Sequence, residues 1–351
     1  MKMGLQLVIG GSGSGKSYYM YKQLIDQAIA CPQEKFIVIV PEQYTMETQK
    51  NIVAMHPAHG VMNIDILSFA RLGFRVFEEL GVSNGRVLMD TGKRMVIRKV
   101  LEAKRQELSV FTGSVRKAGF SGELKSMLSE LLQYNISLDQ LETCIGSLPD
   151  GSVLKAKLKD LWVVYQGFKN YIQDHYLTAE EILVRLCPYI GDSKQIRESR
   201  IYLDNFNGLT PAQYMVMEEL LKYSRNVQMT LTIDPEADPY SIKNNHELFY
   251  LTKDTLYRLE KLCQKIHCDR LPDIFIGGEK GRFKRCPDLA YLEKNIYRPR
   301  AKIYGEKPNH LFLYTAQDPA AETRHIARHI RRLVRDKGYR YRDMGVICAD
   351  V

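Results

Sequence analysis

The stretch from Leu7 to Met20, LVIGGSGSGKSYYM, constrains the fold more than any other part of the chain. An apolar run leads straight into a loop of glycine and serine, and the loop ends at Lys16 and Ser17, where a helix-compatible segment begins. LQLVIG at 5–10 reads as a buried strand. KSYYMYKQLIDQAIA at 16–30 reads as a helix with Met20, Leu24, Ala28 and Ile29 on one side. A second buried strand, FIVIV at 36–40, is stopped by Pro41. Strand, helix and strand, with continuously apolar strands, predict a parallel βαβ unit.

Gly10, Gly11, Ser12, Gly13, Ser14, Gly15, Lys16 and Ser17 satisfy the spacing G-x-x-x-x-G-K-[ST] in the setting it requires, after a strand and at a helix start. Glycines let backbone amides converge on phosphate oxygens, and the helix N-terminus adds positive potential. Lys16 neutralises the β- and γ-phosphates, and Ser17 can ligate Mg2+. These residues are the candidate nucleotide-binding set; the plain alternative is a glycine-rich strand-to-helix turn. Hydrolysis needs more: an acid at a neighbouring strand end to hold Mg2+, and a carboxylate beside it to orient the attacking water. The strand end that fits is IYLDNFNGLT, where Asp204 can take the Mg2+ role with Ser17. The next residue is Asn205, an amide that cannot act as a base, and no acid follows before Glu218. The pattern reads as a nucleotide site without its hydrolytic carboxylate, and no catalytic residue is assigned.

A chain of 351 residues with 45% hydrophobic content is long enough for two or three domains with proper cores. It contains no apolar run of membrane-spanning length and no signal-peptide pattern, so a cytoplasmic protein without a membrane partner is the expectation. Seven cysteines without C-x-x-C spacing argue against a disulfide framework. The nearest approach to a metal cluster is Cys263, His267, Cys268 and Cys286, for which incidental thiols are the simpler reading. The net charge of +9 fits a polyanionic partner such as nucleic acid. Arg324, Arg328, Arg331, Arg332, Arg335, Lys337, Arg340 and Arg342 gather against the single acid Asp336, and a solvated helix face explains them as well as phosphate contact does.

The expected architecture is α/β: a RecA-like parallel sheet carrying the phosphate loop, with a large helical insertion, followed by the start of a second RecA-like domain. Residues 1–84 form the first part of the first domain, with a third strand in MNIDILSF and a helix in ARLGFRVFEEL. Residues 85–190 are long helical segments and form the insertion. Residues 191–300 return to the first sheet through RIYLDNF and NVQMTLTID, then pass through a charged, proline-broken stretch that the pattern leaves unassigned. Residues 301–351 open a second domain with strands expected at HLFLYTA and DMGVICADV around the basic helix. Two strands and one helix cannot bury their own sheet faces, so the chain is expected to be the N-terminal part of a longer protein.

In order along the chain, GGSGSGKS, VIVPEQYTMETQ, ILSFARLGFRVF, IYLDNFNGLTPAQ, LTID and AAETRHIARHIRRL resemble the motifs of superfamily 1 DNA helicases of the UvrD/RecB type. Within these they resemble the AddB (RexB-like) subunits of the AddAB helicase–nucleases of Gram-positive bacteria, with P-E-Q-x-T and S-F-x-R-L the specific strings. The resemblance implies a subunit that works with an AddA helicase–nuclease partner in double-strand break repair by recombination, on single- and double-stranded DNA. It implies motor-like domains that hold ATP and Mg2+, and that guide and scan a single strand for Chi without unwinding it. Asp204-Asn205 in place of Asp-Glu, and the lack of room for a glutamine motif before Leu5, agree with that. A nuclease domain stapled by a 4Fe-4S cluster would lie beyond Val351. Such helicases present motif Ia and the segment after it to the strand. Gln43 and Thr45 could therefore bond bases or phosphates, Phe69, Phe74 and Phe206 could stack, and Arg71 could pair with phosphate or guanine. For each of these, core packing or solvation is the ordinary alternative. The competing functions are an active superfamily 1 DNA translocase, a P-loop kinase for a small molecule, and a DNA-binding scaffold with a vestigial loop.

Overall fold

A computed structural model describes residues 4–82, 86–115, 117, 119–173, 176–234, 236–242, 244–277, 281–298 and 302–348. In chain order the first elements are β1 (Gly4–Gly10), α1 (Lys16–Ala30), β2 (Lys35–Ile39), α2 (Thr45–Met55), β3 (Ile64–Leu67) and α3 (Phe69–Glu79). A helical stretch follows: β4 (Arg86–Val87), α4 (Asp90–Ala103), α5 (Phe120–Gln133), α6 (Leu138–Ser147), α7 (Val153–Ile172), β5 (Tyr176–Leu177) and α8 (Ala179–Ile190). The chain then runs through α9 (Lys194–Glu198), β6 (Ser199–Leu203), α10 (Pro211–Tyr223), β7 (Asn226–Thr232), α11 (Tyr250–Ile266), β8 (Asp269–Arg270) and β9 (Ile274–Ile276). Last come α12 (Pro287–Asn295) and α13 (Pro319–Lys337).

The strands β3-β2-β6-β7-β1-β8 lie side by side in that order, β9 also pairs with β1, and every pairing is parallel. The chain therefore crosses over between neighbours through helices, which cover both faces of the sheet. Alternation of side chains divides the work. Leu5, Leu7, Ile9, Ile37, Ile39, Ile201, Leu203, Val227, Met229 and Leu231 face α3, α8, α10 and α11. Phe36, Val38, Val40 and Tyr202 face Met20, Tyr21, Leu24 and Ile25 of α1 and Ile52 of α2. Each such aliphatic side chain contributes about 1.5–3 kcal/mol by leaving water. This is the RecA-like α/β architecture with a helical insertion.

α3 shows how the local sequence sets an element. Ser68 caps it by accepting from Arg71 N at 3.4 Å, and Phe69, Leu72, Val76 and Phe77 form one apolar face. Gly73 lets α8 approach, since a Cβ there would lie 2.7 Å from Ile182 Cγ2. The insertion has a core of its own, built from Val96, Ile97, Leu101, Leu124, Leu128, Leu161, Val164, Tyr165 and Phe168 of α4, α5 and α7. The last buried residue of that core is Ile172, with Tyr176 of β5 packed against it, and α8 packs instead into the core of the main sheet.

The chain falls into two compact units, Met1–Arg282 and Phe283–Val351. In the second, the basic segment forms α13 as the sequence predicts, but the two flanking strands are not found among the described residues. HLFLYTA and Met344–Cys348 run without a ladder, leaving Leu313 95% and Ile347 100% exposed. Apolar content gives a strand its face, but only a neighbouring strand satisfies its amides and carbonyls. α13 is itself exposed along its arginines, and α12 is tied down by Asp288, which accepts from the amides of Asn309 and His310.

Candidate nucleotide site

The loop after β1 turns on glycines. Gly13 and Gly15 have φ of 72° and 99°, left-handed values that a side chain resists, and Gly15 opens α1. Lys16 is buried and its Nζ donates to Gly11 O at 2.8 Å, while Ser14 N donates to the same carbonyl at 3.3 Å. Ser14 Oγ is buried with no hydrogen-bond partner. Ser12 and Gly15 are exposed, and Gly13 and Ser17 are half-buried. An unpaired hydroxyl, a lysine and the amides at a helix start suit a polyphosphate, whose oxygens accept from all of them. The residues fit the phosphates of ATP.

A second segment meets the loop, and the sequence pattern did not point to it. β9 pairs with the end of β1, Gly10 opposite Ile276, and a Cβ on Gly10 would run into Ile276 O. Further on, Arg282 N donates to Gly13 O at 2.9 Å, and a Cβ on Gly281 would sit 2.9 Å from that carbonyl. The exposed Arg282 is thereby fixed by its own backbone to the phosphate loop. The available signal was Ile274-Phe275-Ile276, a short apolar run between Pro272 and Gly277.

Asp204 directly follows β6. β7 separates β6 from β1, and alternation turns Asp204 and Thr230 to the face covered by α1. Asp204 is 1% exposed. Its Oδ2 accepts from Tyr21 OH at 2.5 Å and its Oδ1 from Thr230 Oγ1 at 2.5 Å. Tyr21 OH also lies 3.5 Å from Thr48 Oγ1 of α2. Burial, then the Asp204 charge and its hydrogen bond, push the Tyr21 phenol well above its ordinary range, so it remains a donor. Among the described residues no hydrogen bond joins Ser17 to Asp204. Mg2+ keeps several waters and demands octahedral oxygens; a sealed carboxylate with both oxygens engaged does not fit it. Asn205, exposed, sits in the left-handed region at φ 65°.

The strand-contact candidates divide by chemistry. Phe69 and Phe206 are buried and meet edge-on, with centroids 5.5 Å apart, and Phe74 packs partly buried on the same core. The polar candidates lie near the surface. Gln43 is exposed in a short turn before α2, Thr45 Oγ1 donates to Glu42 O at 2.9 Å, and Arg71 pairs with Glu42 at 3.0 Å. The structure gathers Gln43, Thr45 and Arg71 around Glu42 and places the two phenylalanines behind them in the core.

Elsewhere, no group of three or more His, Cys, Asp or Glu among the described residues could hold a metal ion. Cys263 and Cys268 do meet, at the end of α11, lining an open pocket of about 600 Å³ with Glu260, Gln264, His267 and Arg270. No helix of the described residues is long and apolar enough to cross a membrane.

Fold and site together define a class: a RecA-like α/β protein with a phosphate loop on one strand and a large helical insertion before the strand that carries its acid. Within that class the chain belongs to the family described as ADDB, N-terminal, whose family model matches residues 7–293. It is 42% identical over 349 residues to the B subunit of the ATP-dependent helicase/deoxyribonuclease of Lachnoclostridium phytofermentans, across 98% of this chain and 30% of that protein. The proteins of the same description from Desulforudis audaxviator and Clostridium perfringens strain 13 are 32% and 33% identical, across 98% and 99% of this chain and 30% of each relative. The chain thus spans 30% of the length of the curated relatives it matches.

Proposed function

We propose that this chain is the nucleotide-holding, DNA-guiding part of the B subunit of an ATP-dependent helicase/deoxyribonuclease, and that it does not itself drive unwinding. The observation that carries the reading is a phosphate loop on β1 paired with a strand end that offers Asp204 and then an amide, Asn205, where a water-orienting carboxylate would stand. ATP binds through the Gly10–Ser17 loop. The partner is an AddA-type motor subunit, and the substrate is DNA whose single strand passes the Gln43, Thr45 and Arg71 surface to be examined for Chi. Nuclease chemistry and a 4Fe-4S cluster belong to other parts of such a protein, which works in the cytoplasm in recombinational break repair. The net charge of +9 supports a polyanionic partner.

The test is ATP binding and turnover by the purified protein, with and without single-stranded DNA, alongside Lys16→Ala and Asn205→Glu. Binding that Lys16→Ala abolishes, without turnover in the parent, is the expected result. Robust DNA-stimulated turnover in the parent would make it a working translocase and overturn the reading.

A further inference from the structure

We propose that Tyr21 closes the metal position of this phosphate site, so that the site takes a polyphosphate without a tightly held divalent cation. This rests on the reading of the loop as a nucleotide cradle. The residue that would hold the metal is present, but it is 1% exposed and each of its carboxylate oxygens already accepts a hydrogen bond inside the protein. Asp204 gives one oxygen to the phenol of Tyr21 and the other to the hydroxyl of Thr230, each at 2.5 Å. Hydrogen bonds to a charged acceptor at this length are the strong kind. The four groups around this point, Asp204, Tyr21, Thr230 and Thr48, are between 1% and 4% exposed, which leaves no space for a hydrated ion.

Helix geometry explains why a tyrosine can do this. Tyr21 lies four residues after Ser17, so the two occupy one face of α1. The phenol reaches the acid from the next turn of the helix that carries the would-be metal ligand. Its side chain belongs to the buried cluster that includes Leu24 of α1 and Phe36 and Val38 of β2, and its hydroxyl lies 3.5 Å from Thr48 Oγ1 of α2. Lys16, the amides at the start of α1 and the exposed Arg282 supply positive potential beside the loop. Tyr21 is a positioning residue here, acting through Asp204 rather than on the phosphates.

The experiment measures affinity for a fluorescent ATP analogue on the purified protein without a partner subunit, in excess Mg2+ and in EDTA, for the parent and Tyr21→Phe. The parent is expected to bind equally well in both, and Tyr21→Phe, with one oxygen of Asp204 released, to bind more tightly in Mg2+ than in EDTA. Loss of about tenfold in parent affinity on adding EDTA overturns the proposal. A second measurement does not need the nucleotide: Mn2+ bound to the chain, read by electron paramagnetic resonance. No Asp204-dependent Mn2+ is expected in the parent; a bound ion that Asp204→Asn removes overturns the lock. Absence of analogue binding in both buffers, with no Mn2+ bound, would defeat the nucleotide reading while leaving the sealed acid in place.

Discussion

The amide of Arg282 donates to the carbonyl of Gly13 at 2.9 Å, tying the phosphate loop to a segment far along the chain. Together with the pairing of Gly10 and Ile276, this fixes the loop from its outer side. Two glycines of the loop are therefore required for different reasons. A Cβ on Gly10 would meet Ile276 O and would lie 2.7 Å from Ser14 Oγ, whereas a Cβ on Gly15 would meet nothing within 4 Å. Gly10→Ala is expected to lose about 1–3 kcal/mol through overpacking against backbone. Gly15→Ala loses about 1–2 kcal/mol through its φ alone. Urea denaturation of both variants checks this; a neutral Gly10→Ala would show that β9 does not press on the loop.

The insertion is joined to the main domain by a buried ion pair. Lys93 of α4 reaches both carboxylate oxygens of Glu180 in α8 at 2.8 Å, and the side chains are 5% and 9% exposed. Removing one partner strands a buried charge, so Lys93→Ala is expected to cost about 3–5 kcal/mol. Lys93→Met with Glu180→Leu, which removes both charges, should restore most of it. If the double variant is no better than Lys93→Ala by chemical denaturation, the loss comes from packing and not from the stranded carboxylate.

Much of the fold was legible because local pattern and tertiary role agree. α1 runs from Lys16 to Ala30 as read, since the phosphate loop fixes its start, but its buried face is Met20, Tyr21, Leu24, Ile25 and Ala28, and Ile29, read onto that face, is 48% exposed. β6 and β7 were legible as apolar runs after a helical stretch, although nothing local shows that they take places between β2 and β1. HLFLYTA carried an equally good apolar signal and forms no strand, because a ladder is a property of two segments. At the site, the glycine spacing was visible and the Tyr21 contact was not. Tyr21 reads as one more core position of α1, and its meaning depends on Asp204 and Thr230, brought to it by strands far along the chain.

Cys268 is expected to be the thiol that reacts at unusually low pH. The end of α11 folds so that Cys268 N donates to Cys263 O at 2.9 Å with His267 at φ 55°, which sets the two side chains against each other. Hydrogen bonding from the Cys263 thiol holds the Cys268 thiol below its ordinary range, and the same contact with burial pushes Cys263 up. Because the thiolate is the nucleophile, alkylation of Cys268 should reach half its limiting rate at a lower pH than an ordinary thiol does. Peptide-resolved iodoacetamide labelling across pH reads this directly. Cys263→Ala should move the Cys268 profile back up; an unmoved profile would remove Cys263 as the cause.

Strand contact and core packing can be separated at Arg71 and Phe69. Arg71 pairs with Glu42 across side chains that are 57% and 59% exposed, and such pairs contribute at most about 1 kcal/mol. Phe69, 5% exposed against Phe206, should cost about 3–5 kcal/mol when cut to alanine. Arg71→Ala is therefore expected to leave the unfolding curve nearly unchanged while weakening single-stranded DNA binding. It should also reduce the salt dependence of binding, because one phosphate contact fewer releases fewer counterions. Phe69→Ala should shift the unfolding curve first, and any loss of DNA binding should follow the folded fraction. If Arg71→Ala leaves both the affinity and its salt slope unchanged in a fluorescence anisotropy titration, the strand does not pass the Glu42 surface.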